Sequence, residues 1–405
     1  MRTPFTGRAR RIAIAGTSVA ALALVAAGCN YFPDGDQDVL AIAGSDTTQD
    51  VMTGIVTDYT NDLKYNDDTN IPGDDRDILH NILSVEPNPH PVPGDEHCGA
   101  ITYHTPPGGG EVVAPNGSGA GRDALKASFL AGDGCIDIAR SSGGPRPIGP
   151  GAGQDPAEFE YYAFALDAVG WSSASASAPS NLTLAQLQGI YNCTFTNFNQ
   201  VGGGNQPIER YWPQAGSGTR SFFQAEVLGF DPTTFSSGSC PAVTLTQENT
   251  GTVIAANGDQ ASAVVPFSGA NFAAMANGAI PDQRAGQTIR NLDGQNIEFA
   301  TSTGLTLATP EATGDPNAPV QEANVRLNDP TPNYVGIRYV FNVIANGSAS
   351  YDSAKRYVAF DNQDKGSTSP LCNNGRTATI THFGFGPLNS TIGPNNLAGS
   401  TCRLF

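Results

Sequence analysis

The stretch "AGSGTRSFF", residues 215–223, is the part of the sequence that decides how the rest is interpreted. Two glycines, a serine and a threonine stand directly before two phenylalanines that open an apolar helical pattern. The first N–H groups of a helix have no partner inside it, and with the helix dipole they attract anions. Glycine lets a backbone approach a ligand closely, and hydroxyl groups add uncharged donors. The stretch therefore predicts either an ordinary helix start or an anion-binding loop.

Two further stretches have the same composition, "AGSDTTQ" at 43–49 and "NGSGAGR" at 116–122, and each precedes a predicted helix. In the first, Asp46 followed by Gln49 predicts a capping box at the helix N-terminus. Taken singly, each stretch is explained by an ordinary N-cap.

The chain alternates strands and helices, which indicates an α/β fold with largely parallel sheets. Ligands of such folds bind at the carboxyl ends of strands, so three such loops favour one shared site.

The N-terminal segment, residues 1–28, has four arginines and no acid, followed by an apolar run that is short for a membrane span. It predicts a signal peptide. The run ends in "VAAGC", which resembles a bacterial lipobox, although Ala26 stands where leucine is usual. We therefore expect a lipidated Cys29, a tether over 29–37 and an exported chain anchored to the outer face of the bacterial cell membrane. Secretion without lipid, periplasmic release and a cytoplasmic protein with a buried first helix are the alternatives, and the export route stays open.

Six cysteines follow Cys29, and an even number in an exported chain predicts three disulfides. Other pairings are possible, but cysteines that neighbour one another in the sequence form the simplest set. These pairs are Cys98–Cys135, Cys193–Cys240 and Cys372–Cys402. None has the CxxC spacing of a zinc site, so no metal and no cofactor are predicted.

Charge and motif spacing argue against several classes of function. Beyond residue 28 the chain has 17 basic and 38 acidic side chains, a formal charge of −21, which disfavours nucleic acid as a partner. The serines of 116–122 and 215–220 do not fit a nucleophile elbow, no lysine has Walker spacing, and His382 is isolated, so we expect no enzyme. Three histidines spaced from His90 onwards and the acidic stretch 67–77 could attract a metal, but solvated loops are favoured.

Four segments resemble one known family when they are taken in order. These are "NGSGAG" (116–121), "CIDIARSS" (135–142), "LTLAQLQGIYNCTFTNF" (182–198) and "AGSGTRSFF" (215–223). All are similar to segments of the bacterial phosphate-binding proteins, the extracytoplasmic receptors of phosphate ABC transporters. "VVPFSGANF" (264–272) also lies where that family has a strand before a helix. The similarity covers most of 38–275.

The resemblance implies an α/β, two-lobed periplasmic-binding-protein-like fold of class II, in which two α/β domains are joined by hinge strands. It places the first lobe at 38–165 plus 335–405 and the second at 166–334. The lobes would close on inorganic phosphate or a similar oxoanion, and the partner would be the permease of an ABC importer. We expect a monomer.

The resemblance, together with the two arginines that lie beside the matched loops, predicts a set of oxoanion-binding residues. They are Ser45, Asp46, Thr47, Ser118, Arg140, Ser142, Ser217, Gly218, Thr219 and Arg220. Ser142 replaces an aspartate that accepts the proton of hydrogen phosphate in the family, and Pro213 replaces an arginine. We expect Arg140 or Arg220 to restore the positive charge. Asp46 is either the substitute proton acceptor or a plain N-cap.

Because of these departures, two other functions stay open. One is the same fold binding a different solute, such as sulfate or a phosphate ester. The other is a surface or signalling protein with a vestigial pocket. An enzyme that hydrolyses phosphate esters is a more remote alternative.

Overall fold

The structure is a computed structural model, and it describes residues 39–65, 78–81, 115–294, 335–358 and 376–387. Several predictions lie outside these residues. They are the signal peptide and tether, Cys29, Cys98, the Cys372–Cys402 pair, the histidines from His90 to His104, and the acidic stretch 67–77. Among the helices that are described, none combines the length and the apolar character needed to cross a membrane.

Strands and helices alternate along much of the described chain, as the sequence predicts, although three consecutive strands occupy the part from 138 to 182. The strands are β1 (Val39–Gly44), β2 (Ile78–Asn81), β3 (Ile138–Ser141), β4 (Phe159–Ser172), β5 (Asn181–Leu182), β6 (Glu209–Pro213), β7 (Thr244–Thr246), β8 (Ala263–Ser268), β9 (Asn291–Leu292), β10 (Ile337–Ala345) and β11 (Gly386–Pro387). The helices are α1 (Gln49–Tyr65), α2 (Ser118–Ala131), α3 (Leu184–Tyr191), α4 (Gly218–Phe222), α5 (Thr252–Asn257), α6 (Gly269–Ala276), α7 (Tyr351–Val358) and α8 (Thr377–His382). Helix α4 continues as a π-helix over Phe223–Leu228.

The main sheet contains two groups of strands joined by one long strand. The first strand group has the order β2-β1-β3-β10-β4, and the second strand group has the order β8-β6-β7. Residues 159–168 of β4 pair with β10, and Val169–Ser172 pair with β8. This strand therefore belongs to both groups, as expected for a hinge strand. The domain limits at 165/166 and 334/335 stay predictions.

The expectation of a largely parallel sheet is only partly met. Strand β1 is parallel to β2 and β3, and β6 is parallel to β7 and β8. Strand β10, however, is antiparallel to both β3 and β4, and β4 is antiparallel to β8. Strand β10 returns from a distant part of the chain, so its direction is not set by a short βαβ crossover.

Buried aromatic side chains hold the second strand group against its helices. The rings of Tyr191 and Trp212 have centroids 5.5 Å apart, and Phe223 lies 6.3 Å from Tyr191 and 6.1 Å from Trp212. All three are fully buried. Because Phe223 directly follows α4, this packing fixes the orientation of α4 and of the loop that precedes it.

One predicted disulfide is confirmed and braces the same region. Cys193 is bonded to Cys240, which joins the end of α3 to the segment before β7. The Arg210 guanidinium donates to the carbonyl oxygens of Tyr191 and Phe235 at 2.6 and 2.9 Å, so both ends of this connection are tied to β6. Cys135 is also disulfide-bonded, and Cys98, the partner predicted for it, lies outside the described residues.

The predicted capping box at Asp46 is wrong. Helix α1 begins at Gln49, and one oxygen of the Asp46 carboxylate accepts a hydrogen bond from the next backbone N–H, that of Thr47, at 3.1 Å. Its second oxygen is turned towards the amide of Gln247. Tertiary hydrogen bonds at the sheet edge therefore replace the local cap that the spacing predicts.

Candidate functional site

Three serines from separate loops meet in the first strand group. Ser45 Oγ donates to Ser142 Oγ at 3.0 Å, and Ser118 Oγ lies 3.2 Å from Ser142 Oγ and accepts from the Ser142 N–H at 2.9 Å. All three side chains are fully buried. Ser45 and Ser142 follow the neighbouring parallel strands β1 and β3, whose carboxyl ends share one edge of the sheet. We call these three residues the serine cluster.

A chain of hydrogen bonds lies beside the serine cluster and joins both strand groups. Arg338 Nη2 donates to Thr219 Oγ1 at 2.9 Å, Thr219 Oγ1 lies 3.3 Å from Thr47 Oγ1, and Thr47 Oγ1 donates to Glu248 Oε1 at 3.2 Å. A hydroxyl has one hydrogen, and that of Thr47 is given to Glu248, so Thr219 is the donor to Thr47. The chain therefore runs from a cation to an anion through two hydroxyls.

Gly218 connects this chain to the serine cluster. A Cβ on Gly218 would lie closer than 3.0 Å to both Ser118 Oγ and Ser142 Oγ, a separation that real Cβ atoms essentially never have. Nearby, the Gly119 N–H donates to the Gly216 carbonyl oxygen at 2.8 Å. The Gly-rich loops of the two strand groups are thus in direct contact, and a side chain at position 218 would force these serines to shift.

Glu248 is a site residue that sequence reasoning missed. Its side chain is 4% exposed. The carboxylate accepts from Ser217 Oγ and, at 3.2 Å, from the Thr219 N–H, in addition to Thr47. Its own N–H donates to Gln214 Oε1 at 2.8 Å. Glu248 follows the three-residue strand β7 and belongs to no motif, so no pattern in the sequence identifies it.

Arg338, on β10, is the second residue that sequence reasoning missed. Its guanidinium is buried and donates to Asp167 Oδ2 through Nη2 at 2.8 Å and through Nε at 3.1 Å. Burial lowers the pKa of Arg338, and the charge of Asp167 opposes that shift. Its Nη1 has no hydrogen-bond partner among the described residues. The sequence does contain a signal that could have identified this pair, since Arg338 and Asp167 are each a charged residue within an otherwise apolar strand. The two residues lie opposite each other in the pairing of β10 with β4.

The two arginines predicted for the site have other contacts. Arg140 is fully buried, and its guanidinium donates to the carbonyl oxygens of Ile42, Gly44 and Ser45 at 3.0–3.4 Å. Burial lowers its pKa to about 9, against the charges of Asp46 and Asp50. Arg140 thus holds the main chain of the first loop.

Arg220, the other predicted cation, contacts residues close to it in the sequence. Its backbone N–H donates to Ser217 Oγ at 2.9 Å, and its guanidinium donates to the Pro213 carbonyl oxygen at 3.4 Å. The guanidinium that reaches Thr219 belongs instead to Arg338.

Asp46 faces a group of side-chain amides rather than the hydroxyls. Gln247 donates to its Oδ2, Gln214 Nε2 lies 3.5 Å from the same oxygen, and both amides also donate to Asn116 Oδ1. Burial raises the pKa of Asp46 to about 7, although the hydrogen bond from Gln247 acts in the opposite direction. Together, these three side-chain amides and the Asp46 carboxylate link the loops of both strand groups at the rim of the site.

The arrangement is suited to hold an anion. Six hydroxyls, the Thr219 N–H at the start of α4 and one guanidinium come from five separate segments and make hydrogen bonds within one buried region. Within the described ranges, no group of three His, Cys, Asp or Glu side chains is placed to hold a metal ion.

Comparisons with known proteins point to a single superfamily. The family model described as "PBP superfamily domain" matches residues 104–360, which is more than half of the chain. No curated protein matches the sequence.

Three solved structures are similar to this chain at low identity, each with a TM-score below 0.5. An ABC-type phosphate transport receptor from Vibrio cholerae is 18% identical with a TM-score of 0.47, over 88% of this chain and 100% of that chain. A Clostridium perfringens protein, assigned as a phosphate ABC transporter substrate-binding protein and solved with phosphate bound, is 17% identical with a TM-score of 0.49, over 87% and 100%. A phosphate-binding protein from Stenotrophomonas maltophilia is 12% identical with a TM-score of 0.43, over 88% and 92%.

The family match agrees with the two strand groups and the shared strand β4. The chain belongs to the PBP superfamily and has its two-domain α/β periplasmic-binding-protein fold.

Proposed function

We propose that this protein is an extracytoplasmic solute receptor that captures inorganic phosphate, or a similar oxoanion, for an ABC importer. One observation carries the proposal. The guanidinium of the buried Arg338 lies among hydroxyls from the three Gly-rich loops and donates to that of Thr219. Its Nη1 has no hydrogen-bond partner among the described residues. A guanidinium, hydroxyls and helix N-terminal amides are the donors that a tetrahedral oxoanion needs.

The proposed mechanism is closure of two domains around the ion. The loops of the two strand groups touch through Gly119 and Gly216, so a ligand between them is removed from water. Fixed N–H and O–H donors then replace its hydration shell, and no covalent bond is made or broken. A hydrogen bond to a charged group contributes about 1.5–3 kcal/mol, and any oxygen left without a partner incurs a desolvation penalty. The full set of donors therefore determines selectivity.

Calorimetric titration with phosphate, arsenate and sulfate tests the proposal. We expect the wild type to bind phosphate or arsenate, and Thr219→Val to bind at least about tenfold more weakly, since a lost hydrogen bond to an anion is worth about 1.4 kcal/mol or more. The matched control is Thr233→Val, an exposed threonine of the same strand group. Absence of binding for all three ions would contradict the proposal.

The contacts of Glu248 support a second candidate function. In this alternative, the pocket binds a different ligand or no longer binds one. The donors of Ser217 and Thr219 are already given to this carboxylate. A thermal-shift screen with phosphate esters and other small solutes distinguishes these cases. A shift with another solute but with no oxoanion would favour a changed ligand, and no shift with any solute would favour a vestigial pocket.

Export, lipidation of Cys29, the two-lobe limits, the permease partner and the monomeric state belong to the same proposal. They are supported by the N-terminal sequence and by the resemblance. Membrane fractionation of the full chain and of Cys29→Ala tests the anchor, because only the wild type should remain with the membrane.

A further inference from the structure

The carboxylate of Glu248 accepts hydrogen bonds from three donors of the candidate site. Its Oε2 accepts from Ser217 Oγ and from the Thr219 N–H, at the N-terminal end of α4, which with its π-helical continuation runs to Leu228. Its Oε1 accepts from Thr47 Oγ1. A carboxylate shares with an oxoanion the negative charge and the paired acceptor oxygens that such donors bind.

Glu248 also connects the same two parts of the fold that a ligand would connect. Thr47 belongs to the loop after β1 in the first strand group, and Ser217 and Thr219 belong to the loop after β6 in the second. The hydrogen bonds of one side chain therefore draw both groups together. The segment that carries Glu248 is itself held by the hydrogen bond from its N–H to Gln214 Oε1.

A free oxoanion cannot use these donors while Glu248 holds them. The Thr219 N–H has one hydrogen, and so has each hydroxyl of Ser217 and Thr47. An incoming anion beside the carboxylate would also be repelled, and a buried site screens that repulsion poorly. Because the carboxylate is attached to the chain, its effective concentration at these donors is high and does not depend on the protein concentration. It therefore competes effectively with a free ion.

We propose that Glu248 is a tethered internal ligand that competes with the oxoanion for the donors of Thr47, Ser217 and Thr219. This inference rests on the proposed function, and it adds regulation to the same site. The carboxylate sets the affinity for the external ion. Binding then consists of an exchange in which the side chain leaves and the ion takes its hydrogen bonds.

The test is calorimetric titration of the full chain with phosphate, for the wild type, Glu248→Ala and Glu248→Gln. We expect Glu248→Ala to bind phosphate at least about tenfold more tightly than the wild type, which corresponds to about 1.4 kcal/mol. Glu248→Gln should lie between them, because its amide keeps one acceptor oxygen but loses the charge. Glu226→Ala, which removes an exposed carboxylate beyond α4, is the matched control and should not change the affinity.

Acetate provides a readout that a purely structural role would not affect. In Glu248→Ala the donors are vacated, so acetate should compete with phosphate and raise the melting temperature, whereas in the wild type it should do neither. Equal or weaker phosphate binding by both Glu248 variants would overturn the proposal. If no protein binds phosphate, the proposed function fails, and acetate then decides separately: stabilisation of Glu248→Ala supports the tethered ligand, and none refutes it.

Discussion

Gly218→Ala tests whether the contact between the two Gly-rich loops forms the binding site. The new Cβ would lie closer than 3.0 Å to both Ser118 Oγ and Ser142 Oγ. Gly218 does not have a left-handed φ, so the backbone itself accepts alanine. The substitution therefore acts on the contact between loops and leaves the local conformation intact.

The size of the effect follows from the geometry. Both serines are fully buried and hydrogen-bonded to each other, so neither can turn away freely. Inserting one carbon into such a packed region costs about 1–3 kcal/mol. If that cost applies only when the loops are together, phosphate affinity should fall by roughly 5- to 150-fold. Alanine is favoured over glycine in a helix by up to about 1 kcal/mol, so the free energy of unfolding should fall by less than the binding free energy.

The assay is calorimetric titration with phosphate, alongside urea unfolding of the same protein. Gly144→Ala is the control, because an added Cβ there meets no atom within 4 Å and its φ is not left-handed. The control should bind and unfold like the wild type. Wild-type affinity in a folded Gly218→Ala protein would refute the claim that these loops close on the ligand.

Three further predictions concern charge, covalent bonding and pH. Arg338→Met should lower the free energy of unfolding in urea by about 3–5 kcal/mol, because it leaves the buried Asp167 carboxylate uncompensated; a loss below about 1 kcal/mol would count against this ion pair. Replacing Cys193 and Cys240 by serine should cost about 2–4 kcal/mol, since the bond closes a loop with a sequence separation of 47, and unchanged thermal unfolding would argue against it. The folded-state pKa of Asp46 is raised from 3.8 to about 7, so the folded state holds this proton more tightly and stability falls as pH rises through that window, by up to about 4 kcal/mol. Asp46→Asn should remove that slope from urea unfolding followed across the window, and an unaltered slope would show that another group titrates.

The local elements and the chemistry of the loops can be predicted from the amino-acid sequence. Glycines and hydroxyls before predicted helices marked 43–49, 116–122 and 215–223, and the structure brings residues of all three together. The pairing of Cys193 with Cys240 also followed from their order in the chain. These features depend on residue type and short-range spacing, which a single sequence displays directly.

Which charged side chains reach the hydroxyls could not be predicted in this way, because it depends on contacts between distant segments. Arg140 and Arg220 were expected there because they neighbour the loops in sequence, yet their guanidinium groups bind main-chain carbonyl oxygens. Arg338 bonds to Thr219 across 119 residues, and Glu248 accepts from Thr47 across 201. The direction of a long buried side chain depends on which strands are neighbours and in what register, and that is set by packing between distant segments rather than by local pattern.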